Sequence, residues 1–194
     1  MTDAPAAARG RVVVIGIGNE FRRDDGIGPE VLSRLREQAA GPVQAEPGQA
    51  GREPAGAALA DAVQLVSSDG EPASLIEAWA GASLAVVVDA VLADPPVPGR
   101  LHRLVLDRKA LADVRQVSSH GLGLGEAIGL ARALDRMPDR LIIHAVEAAD
   151  VSHGVGFTPA VAAAVAPLTA AVICDLSEPG PPVPGQVSRG TAPG

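Results

Sequence analysis

Residues 11–31 read R-V-V-V-I-G-I-G-N-E-F-R-R-D-D-G-I-G-P-E-V. From Val12 to Ile17 the run is apolar and mostly β-branched, broken only by Gly16. Such a run suits a strand buried on both faces of a parallel sheet. Gly16 and Gly18 let the backbone turn tightly where the strand ends. Asn19 tolerates unusual backbone angles and can brace the loop with its side chain. Ile27, Val31 and Leu35 then recur at four-residue spacing and mark the apolar face of a helix. Pro29 is tolerated there because it lies near the first turn. Asp24 and Asp25 therefore fall where a buried strand hands over to a helix. In open α/β sheets that edge is where ligands bind.

A nucleotide reading of this junction fails on spacing. A dinucleotide fingerprint after Gly16 and Gly18 needs a third glycine at position 21, and Phe21 stands there. A phosphate loop needs Gly-Lys-Ser or Gly-Lys-Thr, and the stretch has no lysine. Two aspartates near a helix N-terminus would also repel a phosphate. They are good helix caps, but one helix does not need two. Successive helical residues point roughly 100° apart, so only one of the pair faces a given site. The other is free for chemistry.

Outward from this core the chain repeats the pattern. Residues 41–60 are rich in glycine and proline and read as a long surface excursion. Val63–Ser67 is a short second strand that ends in Ser68-Asp69-Gly70, and Pro72 opens a helix through Leu75, Ile76 and Trp79. Ser83–Ala90 is a third apolar strand closing on Asp89. Three strand ends thus carry Asp25, Asp69 and Asp89. The prolines of residues 92–99 exclude a helix or an inner strand there. Leu101–Leu106 reads as an antiparallel edge strand, because no crossover helix precedes it, with His102 exposed upon it. Ser118 or Ser119 would cap a helix running through Leu124, Ile128 and Leu134, with His120 in its first turn. A helix N-terminus disfavours the imidazolium, which leaves His120 neutral, as metal ligation requires. Arg140–Val146 is the fifth strand, with His144 a satisfied core or sheet-face histidine. Thr158 caps the last helix and Pro159 takes its first position. That helix runs through Val161, Val165, Leu168 and Val172, and Cys174 is expected to be buried in it.

The predicted architecture is a three-layer α/β/α domain with a five-stranded, mostly parallel (mixed) sheet over residues 11–176. Residues 1–10 form a mobile arm, and residues 177–194 have the composition of a disordered tail. At 194 residues the chain buries roughly 70% of its surface without staples. A net charge of −7 argues against nucleic acid. A single cysteine excludes an internal disulfide and any multi-cysteine metal cage, which suits the cytoplasm. The N-terminus lacks the apolar core of a signal peptide. No apolar run approaches the ~18–20 residues of a membrane span, so no membrane insertion is expected.

The motif G-I-G-N-x4-D-D-G-I-G at 16–28 resembles the opening motif of the [NiFe]-hydrogenase maturation proteases, in which the second acid of the pair, here Asp25, binds metal. S-S-H-G-L-G-L at 118–124 resembles the family segment whose histidine, here His120, binds metal. Asp69-Gly70 falls where the family has its second metal-binding aspartate. V-V-V-D-A and G-V-G-F-T-P-A-V resemble its third strand and its closing segment. The likeness spans roughly residues 11–172. It departs where Glu71-Pro72 stand in place of the family's usual Gly-Gly-Thr, and in the 41–60 excursion and the tail.

The resemblance implies a mixed sheet with its fourth strand antiparallel, and an aspartic-type, metal-dependent endopeptidase. It implies Asp25, Asp69 and His120 as both catalytic and metal-contacting residues. The partner it implies is the [NiFe]-hydrogenase large subunit precursor, which loses a C-terminal peptide once nickel is in place. The cofactor is nickel carried by that substrate and contacted by the protease, with no organic cofactor. Two oxygens and a nitrogen are a half-filled site for a first-row metal. Nickel could polarise the scissile carbonyl, or a carboxylate could activate water. Ser119 beside His120 has no third orienting group, so a serine nucleophile is disfavoured. The rival reading is a non-enzymatic nickel-sensing or chaperone module that binds the metallated partner without cutting it.

Overall fold

The computed structural model describes residues 10–40, 63–107 and 122–177. The expected arm up to residue 9, the 41–60 excursion, the cap at Ser118 or Ser119, His120 and residues 178–194 lie outside these.

Five strands form one sheet: β1 (Val12–Ile17), β2 (Val63–Ser68), β3 (Leu84–Val91), β4 (Leu101–Asp107) and β5 (Arg140–Glu147). Four helices accompany them among the described residues: α1 (Ile27–Ala40), α2 (Pro72–Trp79), α3 (Leu122–Ala133) and α4 (Pro159–Ser177). The strand order is β2-β1-β3-β5-β4. All neighbours are parallel except β4, which runs antiparallel to β5 as the outer strand. The expected α/β architecture, with β1 interior, is what the chain adopts.

The apolar run of β1 is continuous because both its faces are covered. Val13, Ile15 and Ile17 pack with Leu75 and Trp79 of α2 and Ile128 of α3. Val14 faces the other way, towards Ile27, Val31 and Leu35 of α1 and Leu168 of α4. Burying each such side chain is favourable by roughly 1.5–3 kcal/mol. Helix α1 approaches β1 most closely where Gly28 lies over Gly16. Phe21, which stands where a dinucleotide fold would want glycine, points outward with 62% exposure.

The crossover β1→α1→β2 moves along the sheet in one direction and β2→α2→β3 in the other. Right-handed connections then require α1 and α2 on opposite faces, as observed. The winding reverses between β1 and β3, and the C-terminal ends of these two strands frame the crevice that ligands use in such sheets.

Three expectations need correction. Cys174 is exposed, not buried. The sheet-facing positions of α4 are Val161, Val165, Leu168, Val172 and Asp175, and position 174 falls on the opposite side of the helix. Ser177 belongs to α4, its hydroxyl donating to the Ile173 carbonyl at 2.8 Å, rather than to a tail. Finally, α4 is 19 residues long and apolar enough, by length and composition alone, to cross a membrane. Its packing is that of a core helix: its inward face closes one layer of the sheet, and its buried Asp175 is paired with Arg103 and His144.

Candidate active site

The two aspartates of the opening motif have opposite surroundings. They sit in a 3-10 turn over Arg23–Gly26. Arg23 is held at φ 45°, in the left-handed region, which costs a side-chain-bearing residue about 1–3 kcal/mol. Its N–H donates to Gly154 O at 2.9 Å, and its side chain lies 3.2 Å from the Asp150 carboxylate. The loop before α4 thus holds the turn in its strained form.

Asp24 is fully buried. Its carboxylate accepts from the N–H groups of Ala149 (2.9 Å), Asp150 (3.0 Å) and Thr158 (2.7 Å), and from the Thr158 hydroxyl (2.9 Å). Burial works to raise its pKa, but these four donors outweigh that and hold it below the usual carboxylate range. Asp24 therefore caps no helix: it ties the β1–α1 turn to the β5–α4 loop. Thr158, expected as the cap of α4, has its hydroxyl turned to Asp24 as a donor.

Asp25 is half-buried at the sheet edge. One oxygen accepts from the Asn19 N–H at 3.0 Å, while the Asn19 side chain accepts from Phe21 N–H at 2.9 Å and braces the loop as expected. Gly18, at φ 130°, makes this turn possible, because a Cβ there would collide with the Asp25 carbonyl.

Asp69 and Asp89 flank this position. The Gly18 N–H donates to Ser68 O at 3.0 Å, which puts Asp69 just past the end of β2 beside Gly18. Asp69 is exposed, and its Oδ1 accepts from Glu71 N–H at 3.1 Å. The departure at Glu71-Pro72 has a structural use. Glu71 is the N-cap of α2, accepting from Ser74 N–H at 2.8 Å, and Pro72 opens the helix. On the other side Val88 pairs with Gly16, so Asp89 is the next residue along β3, level with Ile17. The 3-10 turn packs against β3. Burial first, and then the nearby Asp25 charge, push the Asp89 pKa up to about 6, against a hydrogen bond from Ala90 N–H.

Asp25, Asp69 and Asp89 thus share one edge around the β1/β3 switch point. The start of α3 reaches the same edge: a Cβ at Gly123 would strike the Gly70 carbonyl. His120 stands three residues upstream of Gly123, outside the described residues. Among the described residues no three His, Cys, Asp or Glu side chains are grouped to hold a metal ion. Asp25 and Asp69 are the predicted site residues that fall on this edge among the described residues. Asp89 was placed at a strand end by sequence but given no role there. Its only sequence signal is an acid closing a β-branched run.

Two further histidines lie on β5 and β4. Buried His144 holds Nε2 2.7 Å from Asp175, which also pairs with Arg103. His102 on β4 is half-exposed, with Nε2 2.8 Å from buried Glu147.

The family model for hydrogenase maturation protease (HycI) matches residues 55–175, more than half of the chain. The chain belongs to the hydrogenase maturation protease family. It is similar to the hydrogenase 2 maturation protease of Escherichia coli K12, 22% identical over 170 residues, covering 88% of this chain and 93% of that one. Among solved structures, the hydrogenase maturating endopeptidase HybD of E. coli superposes with a TM-score of 0.63 at 23% identity, covering 86% of this chain and 91% of that one. The [NiFe] hydrogenase maturation protease HybD of Thermococcus kodakarensis does so with a TM-score of 0.57 at 20% identity, covering 87% and 99%. At these identities the structural likeness is one of fold. The maturation protease fold is thus shared along nearly the whole chain, and family membership makes this protein a peptidase of hydrogenase maturation.

Proposed function

We propose that this maturation protease removes a C-terminal peptide from the nickel-loaded large-subunit precursor of a [NiFe]-hydrogenase. The observation that carries the reading is the division of labour at the opening motif. Asp24 is consumed by four protein donors, while Asp25 stands at the switch-point edge with Asp69 on the neighbouring strand end. An acid next to a satisfied acid, kept at a ligand-binding edge, suits contact with a cation.

The nickel belongs to the substrate. Asp25, Asp69 and His120 offer it two carboxylates and an imidazole, a donor set suited to a first-row divalent ion. His120 is included on its motif, S-S-H-G-L-G-L at 118–124. Lacking thiolate, this set would not strip nickel from cysteine ligands of the precursor. It would complete the coordination of nickel that stays where it is, so cleavage would report metal occupancy. No organic cofactor enters, and the reaction is cytoplasmic.

The test is to incubate the protein with nickel-loaded and nickel-free precursor and weigh both by mass spectrometry. Loss of a C-terminal peptide from the loaded form alone is expected. Stable binding of loaded precursor with no change of mass would favour a nickel-sensing module and defeat the proposal.

A further inference from the structure

We propose that Phe21 and Val155 form an apolar docking surface for the precursor, taking an apolar side chain of the peptide that flanks the scissile bond. The inference rests on the function proposed above and names the part of the substrate that this surface holds.

Composition and exposure supply the first argument. The chain has only three aromatic residues, Phe21, Trp79 and Phe157. Trp79 is fully buried, and Phe157 packs against the core on the α1 side of the sheet. Phe21 alone stands in solvent, and Val155 is 79% exposed. Single exposed apolar residues are ordinary, but these two are neighbours. Arg22 and Gly154 form a parallel bridge between the β1–α1 turn and the β5–α4 loop, and Phe21 and Val155 lie one residue to either side of it. The Gly154 N–H donates to the Phe21 carbonyl at 2.9 Å.

The second argument is the rigidity of the support. The two loops are pinned to each other by the four donors on Asp24, by the Arg23 N–H on the Gly154 carbonyl, and by Arg22 Nε, which donates to Val151 O at 3.1 Å. Apolar groups carried on backbone that is already ordered bind a partner without a further ordering cost. Beside Val155 there is open space, since a Cβ added at Gly156 meets nothing within 4 Å.

The third argument is continuity with the candidate site. Phe21 N–H donates to the Asn19 side chain at 2.9 Å, and Asn19 N–H donates to the Asp25 carboxylate at 3.0 Å. The surface and Asp25 thus share one hydrogen-bonded loop. An extended peptide advances about 3.3 Å per residue, so a precursor whose scissile region meets Asp25 carries a residue a few positions away past Phe21. A second copy of this chain is a poor occupant. One aromatic side chain and a valine bury at most a few hundred Å², whereas stable association of two protein surfaces takes about 1,200–2,000 Å². One apolar side chain of a peptide matches the surface in size. The surface contributes binding and alignment, and takes no part in breaking the bond.

The experiment compares Phe21→Ser, Phe21→Leu and Val155→Ser with wild type in the full chain. The readouts are affinity for nickel-loaded precursor, the single-turnover rate of cleavage at saturating protein, melting temperature and mass in solution. Phe21→Ser is expected to weaken binding about 10-fold or more and Val155→Ser about 3-fold or more. Saturated cleavage should stay within about 3-fold of wild type, and melting temperature within a few degrees, because both side chains are exposed. Phe21→Leu keeps apolar bulk and should bind within about 3-fold of wild type. Affinity unchanged within about 2-fold in both serine variants overturns the proposal. So does a loss of affinity accompanied by a melting temperature lowered by more than about 10 °C, which marks a structural role. A wild-type dimer that Phe21→Ser dissociates overturns it too, by assigning the surface to a second copy. Wild-type protein that binds loaded precursor without cutting it overturns the underlying function instead, and the affinities of the variants still decide the docking surface.

Discussion

Asp24 and Asp25 are adjacent in the chain and have opposite fates. Asp24 is fully buried and accepts four hydrogen bonds from the β5–α4 loop. Asp25 is half-buried and accepts from Asn19 N–H, and its charge adds to the burial that raises the pKa of Asp89. The contrast extends over the molecule. Carboxylates that hold loops and helices together are paired to saturation, as with Glu147 and Asp175, while those at the C-terminal edge of β1 and β3 are left short of partners. Interior charge is tolerated where donors converge on it. Where they do not, the fold bears a penalty that a structural role does not explain.

The largest expected effect on stability lies at Asp24. Asp24→Ala removes the acceptor of the Ala149, Asp150 and Thr158 N–H groups and releases the strained turn at Arg23. Unfolding in urea should show a loss of about 3–5 kcal/mol, and cleavage should fall with it because the turn also presents Asp25. A loss below about 1 kcal/mol would break the contrast at its structural end.

A pH titration of stability separates the two classes by sign. Asp24 and Asp175 are held below the usual carboxylate range, Asp24 by its backbone donors and Asp175 by Arg103 and His144, both against opposing burial. Their stabilisation is complete above the unfolded value of about 4 and is lost as pH falls through the folded values. Asp89 runs the other way. Its folded pKa of about 6 lies above the unfolded value, so its penalty is absent below about pH 4 and complete above about pH 6. Melting temperature measured from pH 4 to 7 should therefore decline less with rising pH in Asp89→Asn than in wild type. Parallel curves would count against an unpaired Asp89.

The smallest effect belongs to Cys174. Being exposed on the outer side of α4, it should react with a thiol reagent in the folded protein, and Cys174→Ser should change stability by less than about 0.5 kcal/mol. A thiol that reacts only after unfolding would contradict its exposure.

The sequence made the sheet legible because β-branched runs and Gly/Pro breaks are local signals, and the antiparallel β4 followed from the missing crossover helix. Strand ends were read short at Ser68, Val91, Asp107 and Glu147, because pairing with a neighbour, not composition, carries a polar or terminal residue into a ladder. Cys174 was misread because V-I-C-D-L is apolar in the wrong phase. Asp175 takes the buried position instead, accepting hydrogen bonds from Arg103 and bonding to His144, partners on two distant strands. The opening motif told that one aspartate was spare. That Asp24 was the one consumed depended on a loop some 125 residues downstream. Asp89 is no different in kind: its isolation is a property of neighbours that no local window contains.

The most direct test is cleavage of nickel-loaded precursor by Asp25→Asn beside wild type, with melting temperatures of both. Asn keeps the size and the acceptor for the Asn19 N–H but removes the anionic oxygen. The account predicts a loss of at least about 100-fold in cleavage with melting temperatures within a few degrees. Full cleavage by Asp25→Asn would contradict it and return Asp25 to a purely structural role.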